Sequence, residues 1–351
     1  MNFVAILLLS LSSLLMGGEE ADLVFFGDAM QHEPQIKAAQ RANGAYDYSA
    51  CFRHVSADID SADYAVVNFE CTLGGKPYSG YPCFSAPDSY ARQLRDVGFD
   101  LLLTANNHCL DTRDRGLRRT CQMLDKMGIP HIGTYQNQAE RDERLPFIAE
   151  VNNIRIAFLD YTYGTNGIRI QGDVVVDYID RDLIAADIAA AREAGAEVIC
   201  VNMHWGIEYT TTPVKSQREL ADFLVDQGVD LIIGGHPHVV EPMEMRFSPK
   251  YGKSVLVVYS LGNFISNQKD IDCRGGAMVK LRLRRNEGQV EIVDPRYKLF
   301  FVQKPAGGSN YEVIPEDRPD LLRADSKPEF TSFMRRARAV MSHNVLVPPD
   351  R

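Results

Sequence analysis

Side chains that commonly bind metal ions stand directly after short apolar runs in this 351-residue sequence. Each is a carboxylate, a carboxamide or an imidazole, and the set is Asp28, Glu70, Asn106, Asn107, His108, Asp160, His204, His236, His238 and Asn263. It holds four of the eight histidines, which chance placement would scatter over helices and tails. A mixture of nitrogen and oxygen donors suits Mn, Fe or Zn better than Ca. The pattern therefore predicts a site for a divalent metal.

The apolar runs alternate with amphipathic helical stretches, which is typical of an α/β protein. Strands are predicted at 22–27, 64–69, 99–104, 154–161, 196–203, 229–234 and 254–260. Helices are predicted at 86–97, 114–127, 180–194 and 215–227, and a glycine that fits a helix terminator follows each. Ligands of open α/β sheets bind at the carboxyl ends of the strands, so we expect the polar residues to meet there.

Composition and charge exclude some classes of partner. The chain is 45% hydrophobic and has a net charge of -9, with the acidic residues spread along it. Such a surface is unsuited to a nucleic-acid backbone, so no nucleic-acid partner is expected. An anionic substrate would need local positive charge, which bound metal ions could supply.

The chain is predicted to contain one main domain, at residues 22–305, because no repeat or low-complexity block divides it. From about residue 277 the pattern changes to alternating strands, which indicates antiparallel pairing. Residues 306–351 are predicted to form a polar, loosely packed C-terminal tail with short helices around 316–323 and 328–341.

The N-terminus predicts export. Residues 3–16 are apolar but shorter than the roughly 20 residues of a spanning helix, so residues 1–21 are interpreted as a signal peptide, with an uncleaved anchor as the alternative. The protein is then expected in the periplasm or at the cell surface, where disulfides form. Cys71 and Cys83 are a candidate bridge, whereas Cys200 is expected to be a small buried hydrophobe.

Six short motifs resemble, in order, those of the CapA family of capsule or poly-gamma-glutamate synthesis proteins. They are GDAM (27–30), NFE (68–70), ANNHCLD (105–111), HWGIEY (204–209), GGHPHV (234–239) and YSLGNF (259–264). The resemblance covers about residues 22–305. It implies a calcineurin-like metallophosphoesterase fold, which is a four-layer sandwich of two mixed sheets flanked by helices.

The resemblance also implies a distribution of ligands over one or two metal ions. Asp28 and His238 would bind one ion, and Glu70 would bridge to a second. Asn107, His204 and His236 would bind that second ion. His108, with Asn107 beside it, would be catalytic and would either protonate a leaving oxygen or hold a phosphoryl or carbonyl oxygen.

The sequence departs from metallophosphoesterases at two positions. Met30 stands where that superfamily has a histidine ligand, and Glu70 stands in place of an aspartate. The first position loses a ligand, and His32 could replace it only along a different loop path. These changes fit either a catalytic site with an open coordination position or a site for a single ion.

Contacts with substrate are predicted for Asn106, Trp205, Glu208 and Asn263. The alternatives are packing across the sheet for Trp205, hydrogen bonds to loop backbone for Asn106, and support of a ligand histidine by Glu208.

Three functions remain open from the sequence. The first is a metal-dependent hydrolase of phosphoester or polymer bonds. The second is a non-catalytic accessory protein that binds an anionic surface polymer or the membrane proteins of polymer synthesis, with a structural metal site. The third is a periplasmic binding module without metal.

Overall fold

The computed structural model describes residues 19–350. Nearly all of the predicted signal peptide therefore lies outside the described residues.

Strands and helices alternate as the apolar pattern predicted. The strands are β1 (Glu20–Met30), β2 (Tyr64–Glu70), β3 (Leu101–Leu103), β4 (His131–Ile132), β5 (Thr134–Tyr135), β6 (Phe147–Val151), β7 (Ile154–Thr162), β8 (Val175–Val176), β9 (Val198–His204), β10 (Leu231–Gly235), β11 (Met243–Ser248), β12 (Lys253–Val258), β13 (Asn263–Ile265), β14 (Gly275–Asn286), β15 (Gln289–Gln303) and β16 (Glu312–Pro315). The α-helices are α1 (Glu33–Ala39), α2 (Ser49–Phe52), α3 (Ser56–Asp60), α4 (Asp88–Asp96), α5 (Arg113–Lys126), α6 (Gln138–Arg144), α7 (Arg181–Glu193), α8 (Lys215–Gln227) and α9 (Lys327–Met341).

Two mixed sheets form the centre of the molecule. The first has the strand order β16-β15-β14-β1-β2-β3-β4, and β13 also pairs with β1. The second has the order β11-β12-β10-β9-β7-β6. In each sheet the central strands are parallel, whereas β14 of the first sheet and β6 and β11 of the second are antiparallel to their neighbours. The prediction of mixed sheets is confirmed.

Alternate residues of the central strands face different layers, as the period of a strand requires. Phe25 of β1 packs in one core with Phe158 of β7 and Leu231 of β10, so this core lies between the sheets. Phe26 of β1 packs instead with helices α2 to α5 on the outer face of the first sheet. Leu159 of β7 packs with helices α7 and α8 on the outer face of the second sheet. The order helix, sheet, sheet, helix confirms the predicted four-layer sandwich.

The segment after residue 305 is better packed than the sequence analysis expected. Strand β16 pairs with β15 at the edge of the first sheet. Helix α9 buries Phe333, Met334 and Met341 against the core between the sheets. The expectation of a loosely packed tail is wrong, because four-residue spacing gives α9 an apolar face that the sandwich covers. The helix predicted at 328–341 is confirmed, and the boundary at residue 305 stays a prediction.

The predicted disulfide is not formed. Cys71 is buried, Cys83 is exposed, and the two are not bonded. The other cysteines are also free, and Cys200 is buried in the core between the sheets, as expected. Within residues 19–350, none of the helices combines the length and the apolar character that a membrane span requires.

Candidate metal centre

The strand register brings the predicted ligands to one edge of the sandwich. In the first sheet, Asp28 at the end of β1 pairs with Asn68 of β2 and with Asn263 of β13. In the second sheet, Gly235 at the end of β10 pairs with His204 at the end of β9. A side chain on Gly235 would lie 2.9 Å from the Asp28 carboxylate. A larger residue at position 235 would therefore crowd the Asp28 carboxylate.

Asp28, Glu70 and His238 form the tightest group of candidate ligands. His238 Nδ1 lies 3.1 Å from Asp28 Oδ2, and His238 Nε2 lies 3.8 Å from Glu70 Oε1. One ligand atom from each of the three lies within 4.8 Å of the others, and all three residues are buried. Asn68 holds Asp28 in place, because its Nδ2 donates to Asp28 Oδ1 at 2.7 Å.

His204, His236 and Asn107 lie beside this group. His204 Nε2 is 2.9 Å from Asn107 Oδ1 and 3.8 Å from Glu70 Oε1. The rings of His204 and His236 are 4.9 Å apart. The Glu70 carboxylate thus stands between His204 and His238, at the position where the resemblance places a bridging ligand. The structure brings all six predicted ligands together.

Several of these atoms fit a bound cation. Both carboxylate oxygens of Glu70 and the Nδ1 atom of His236 are buried without a hydrogen-bond partner among the described residues. Such groups are costly unless something else satisfies them. Burial and the charge of Asp28 raise the pKa of Glu70 well above its usual range. A cation at this position would remove the cost of burying the Glu70 charge.

The histidines are held in the form that binds metals. Burial and the neighbouring His236 and His238 hold the pKa of His204 well below its usual range. Burial lowers the pKa of His236 to about 3. Both imidazoles are therefore neutral at pH 7, and the neutral imidazole is the form that ligates a metal ion.

The loop that carries two of the histidines has a strained backbone. His236 and His238 have φ angles of 97° and 60°, which residues with a side chain rarely adopt. The Tyr209 amide donates to the Pro237 carbonyl at 2.8 Å and holds this loop against the 204–211 segment. Strain of this kind costs about 1–3 kcal/mol per residue and persists where the surrounding structure enforces it, often at functional sites.

Met30 stands at the position where a histidine ligand would be expected. Met30 is buried, and its carbonyl accepts hydrogen bonds from Gln31, Gln35 and Tyr90. His32 does not replace the missing ligand through Nδ1, because that atom lies 3.2 Å from Gln35 Oε1 and accepts from the Asn267 amide at 3.3 Å. Asp28, His238 and Glu70 are the described residues that could hold the first ion.

His108 is supported by a residue that the sequence analysis missed. Its Nδ1 lies 2.8 Å from Asp111 Oδ2, and the Phe84 ring packs against the imidazole at 4.6 Å. The same carboxylate oxygen accepts from the Phe84 amide at 2.7 Å, which fixes its position. The three-residue spacing within ANNHCLD was the signal that could have identified Asp111. The arrangement leaves His108 Nε2 available to exchange a proton with a bound molecule.

Two of the four predicted substrate contacts are corrected by the structure. Trp205 is buried in the outer core with α7 and α8, and its indole donates to the Tyr259 carbonyl at 2.9 Å. The Asn106 side-chain amide donates to Asn68 Oδ1 and to the Phe69 carbonyl. Trp205 and Asn106 position the site, because their polar atoms are occupied within the protein. Asn263 is fully buried and donates to Gln268 Oε1 and the Cys273 carbonyl, whereas its Oδ1 has no hydrogen-bond partner among the described residues, so its contact with substrate stays a prediction.

Glu208 and two tyrosines form the rim of the centre. Glu208 is half-buried, and its charge contributes to the raised pKa of Glu70. The exposed Tyr163 ring lies 4.5 Å from the His236 ring, and the exposed Tyr209 ring lies 6.2 Å from the His238 ring. The prediction that Glu208 contacts substrate stays a prediction, and the tyrosines add flat apolar surface to the rim.

Glu241 is a buried acid beneath the same loop, three residues beyond His238. Its Oε2 accepts from Gln217 Nε2 at 2.6 Å, whereas Oε1 has no hydrogen-bond partner among the described residues. Burial raises the pKa of Glu241 to about 8. Because the folded state favours the protonated acid, the stability of the protein should fall as pH rises from the usual value of 4.5 toward 8.

Glu241→Gln is expected to remove most of that dependence. The free energy of unfolding should exceed that of the parent by about 1–3 kcal/mol at pH 8 and differ little at pH 4.5. Thermal unfolding between pH 4.5 and 9 measures the difference. If the stability of the two proteins depends on pH in the same way, Glu241 is not the source of that dependence.

Comparison with known proteins places the fold and the family. The sequence model described as "Bacterial capsule synthesis protein PGA_cap" matches residues 22–268. The "Capsule biosynthesis protein CapA" of Bacillus anthracis is 28% identical over 288 residues, which are 79% of this chain and 67% of that protein.

A solved structure shares the layered sandwich. The NAD nucleotidase of Haemophilus influenzae superposes with a TM-score of 0.51 at 13% identity over 90% of this chain. This chain spans about half of that structure, 56% of its length. The calcineurin-like phosphoesterase YfkN of Bacillus subtilis matches 92% of this chain and 97% of its own at 12% identity, with a TM-score of 0.47. The matched region carries all six motifs and every candidate ligand, and the chain belongs to the bacterial capsule synthesis protein family PGA_cap.

Proposed function

We propose that this protein is a metal-dependent hydrolase that acts on phosphoester or polymer bonds in the synthesis of a capsule-type surface polymer. The observation that carries the proposal is the buried Glu70 carboxylate, which has no hydrogen-bond partner within residues 19–350 and stands between two pairs of candidate ligands, Asp28 with His238 and Asn107 with His204. A purely structural carboxylate would have hydrogen-bond donors around it. The cofactor is one or two divalent ions, Mn, Fe or Zn.

Some residues of the site hold the ions, and His108 with Asp111 transfers the proton. When bound, divalent ions of this kind supply a nucleophilic hydroxide and polarise the electrophilic oxygen. Asp111 orients His108 through Nδ1, so that the other ring nitrogen can donate a proton to the leaving oxygen. Asn107 is held by the 2.9 Å contact with His204 and by Asn166, to which its amide donates at 3.2 Å.

One observation favours a second candidate function, that of a non-catalytic accessory protein. Met30 stands where a ligand to the first ion would be expected, and Nδ1 of the nearby His32 is engaged by Gln35 and the Asn267 amide. In this alternative the metal stiffens the site, and the protein binds polymer or the membrane enzymes that make it. The alternative predicts bound metal and polymer binding without turnover.

Export to the periplasm or cell surface is part of the proposal. It is supported by the apolar run at residues 3–16 and by the capsule-related function that the family name gives. The partners proposed are an anionic surface polymer or a phosphoester substrate, together with membrane proteins of polymer synthesis.

The experiment that tests the proposal measures turnover of bis(p-nitrophenyl) phosphate and of poly-gamma-glutamate with added Mn, Fe or Zn. We expect metal-dependent turnover that His204→Ala lowers by at least about 100-fold, since loss of even a supporting group of a metal site costs 10- to 100-fold. His343→Ala, which changes an exposed histidine on the C-terminal segment, is the matched control and should keep full activity. Absence of turnover with all three metals, or equal turnover in His204→Ala, would reject the hydrolase and favour the accessory function.

A further inference from the structure

His32 is a further histidine beside the metal centre, and the proposed mechanism does not use it. It is half-buried and lies two residues beyond the end of β1, the strand that carries Asp28. Its ring packs against the Phe84 ring at 5.1 Å, with an angle of 76° between the ring planes. The His108 ring packs against the same phenyl ring at 4.6 Å and 78°. Phe84 therefore contacts both the proposed proton donor and a second imidazole.

Contacts on two sides fix the position of His32. The loop that carries Phe84 packs on its backbone, where a side chain on Gly80 would lie 2.9 Å from the His32 carbonyl carbon. The Asn267 amide donates to His32 Nδ1 at 3.3 Å. Asn267 is itself held, because the Tyr311 hydroxyl donates to its Oδ1 at 2.6 Å. The imidazole is therefore held in one place by residues distant in the chain.

The loop after β13 also connects His32 with a ligand of the first ion. Gln268, the residue after the asparagine that binds His32, donates to the Tyr209 hydroxyl at 3.4 Å. The Tyr209 ring lies 6.2 Å from the His238 ring. Burial lowers the pKa of His32 to about 4, and the neighbouring His238 and His108 contribute to this shift. His32 therefore lies near both a candidate ligand and the proposed proton donor.

The partner of Nδ1 decides what the other ring nitrogen can do. A backbone amide can only donate, so Nδ1 of His32 carries the lone pair and Nε2 carries the proton. Gln35 Oε1, 3.2 Å from Nδ1, already accepts from the His32 amide at 2.8 Å. The Asp111 carboxylate instead accepts from Nδ1 of His108 and supports a charged imidazolium. His32 is therefore a fixed N–H donor, whereas His108 can release and take up a proton.

We propose that His32 is a substrate-binding residue whose Nε2–H donates a hydrogen bond to a phosphoryl or carbonyl oxygen of the bound molecule. The inference deepens the proposed function and rests on it for the substrate that reaches the metal centre. Nε2 has no hydrogen-bond partner within residues 19–350 and is therefore available to a ligand. Because a neutral donor adds no charge, it suits an oxygen whose negative charge the metal ions already balance. The hydrogen bond holds that oxygen on the side of the centre where Met30 stands in place of an expected ligand.

The test measures binding of inorganic phosphate, whose tetrahedral oxygens resemble both a transferred phosphoryl group and the tetrahedral intermediate of amide cleavage. Isothermal titration calorimetry on the Mn-loaded full chain compares the parent with His32→Phe, which keeps an aromatic ring against Phe84 and removes both nitrogens. We expect His32→Phe to weaken phosphate binding about 10- to 100-fold, the worth of one hydrogen bond to a charged oxygen, with unchanged metal content. His32→Gln should keep most of the affinity, because its side-chain amide supplies an N–H donor.

His54→Phe is the matched control. It makes the same change at another half-buried histidine, whose Nε2 pairs with Glu312 of β16 at 3.4 Å, and it should bind phosphate like the parent. Equal binding by the parent and His32→Phe would overturn the proposal, as would an equal loss in His54→Phe or in His32→Gln. Loss of metal in His32→Phe would make His32 a metal ligand and would also overturn it.

Phosphate binding needs no turnover, so the test separates this inference from the proposed function. A metal-loaded parent that hydrolyses nothing, but loses phosphate affinity in His32→Phe, supports the inference and rejects the hydrolase. A parent that turns over bis(p-nitrophenyl) phosphate and binds inorganic phosphate no better than His32→Phe supports the hydrolase and rejects the inference. A parent that takes up no metal and binds no phosphate rejects both.

Discussion

Glu70→Gln is expected to abolish metal binding and, at the same time, to make the metal-free protein more stable. The change removes the charge of a carboxylate whose two oxygens are buried without hydrogen-bond partners among the described residues. Metal affinity should fall by more than about 100-fold, because loss of supporting groups alone costs 10- to 100-fold. The metal-free variant should gain about 1–3 kcal/mol at pH 8, since the buried charge no longer opposes folding.

The expected loss of metal affinity and the expected gain of stability together distinguish a metal ligand from an acid that is held by the protein alone. Metal titration followed by calorimetry measures affinity, and thermal unfolding in the presence of a chelator measures the stability of the metal-free form. Glu143→Gln, on the exposed surface of α6, is the control and should change neither. If Glu70→Gln destabilises the metal-free protein or keeps the affinity of the parent, Glu70 is held by contacts within the protein and the bridging role is wrong.

His108→Ala is expected to lower turnover by about 10²- to 10⁴-fold while the metal content stays the same. The range is that of a lost general acid. His108 is outside the predicted ligand set, and its Nδ1 is engaged by Asp111 at 2.8 Å. Asp111→Asn should lower turnover less than His108→Ala does. The imidazole is still present in this variant and loses only the negatively charged partner that orients it.

Turnover of bis(p-nitrophenyl) phosphate at saturating metal, with metal content measured on the same samples, checks this expectation. Loss of metal together with turnover would make His108 a structural residue of the site. Unchanged turnover would exclude it as the proton donor.

The position of the site was predictable because parallel strands end at the same edge of a sheet. Asp28 lies two residues before the end of β1, His204 ends β9 and His236 follows β10, and the register then places them together. The pairing of two sheets was not predictable from apolar runs alone, since a run does not state which neighbour it joins. The motif resemblance supplied that part.

The errors have physical causes in side-chain direction and long-range packing. Trp205 directly follows His204, and successive residues of an extended segment face opposite sides, so a site-facing His204 already implied an outward-facing Trp205. The four-residue spacing of Phe333, Ala337 and Met341 likewise indicated an apolar, packed face on α9. No local pattern predicts that Gln217 meets Glu241, because that contact joins distant parts of the chain.

Elemental analysis of the purified full chain, beside Glu70→Gln prepared identically, tests the central claim most directly. The account predicts one or two equivalents of Mn, Fe or Zn in the parent and only traces in the variant. Equal metal content in the two proteins, or a parent that takes up no stoichiometric metal after incubation with each of the three ions, would contradict it.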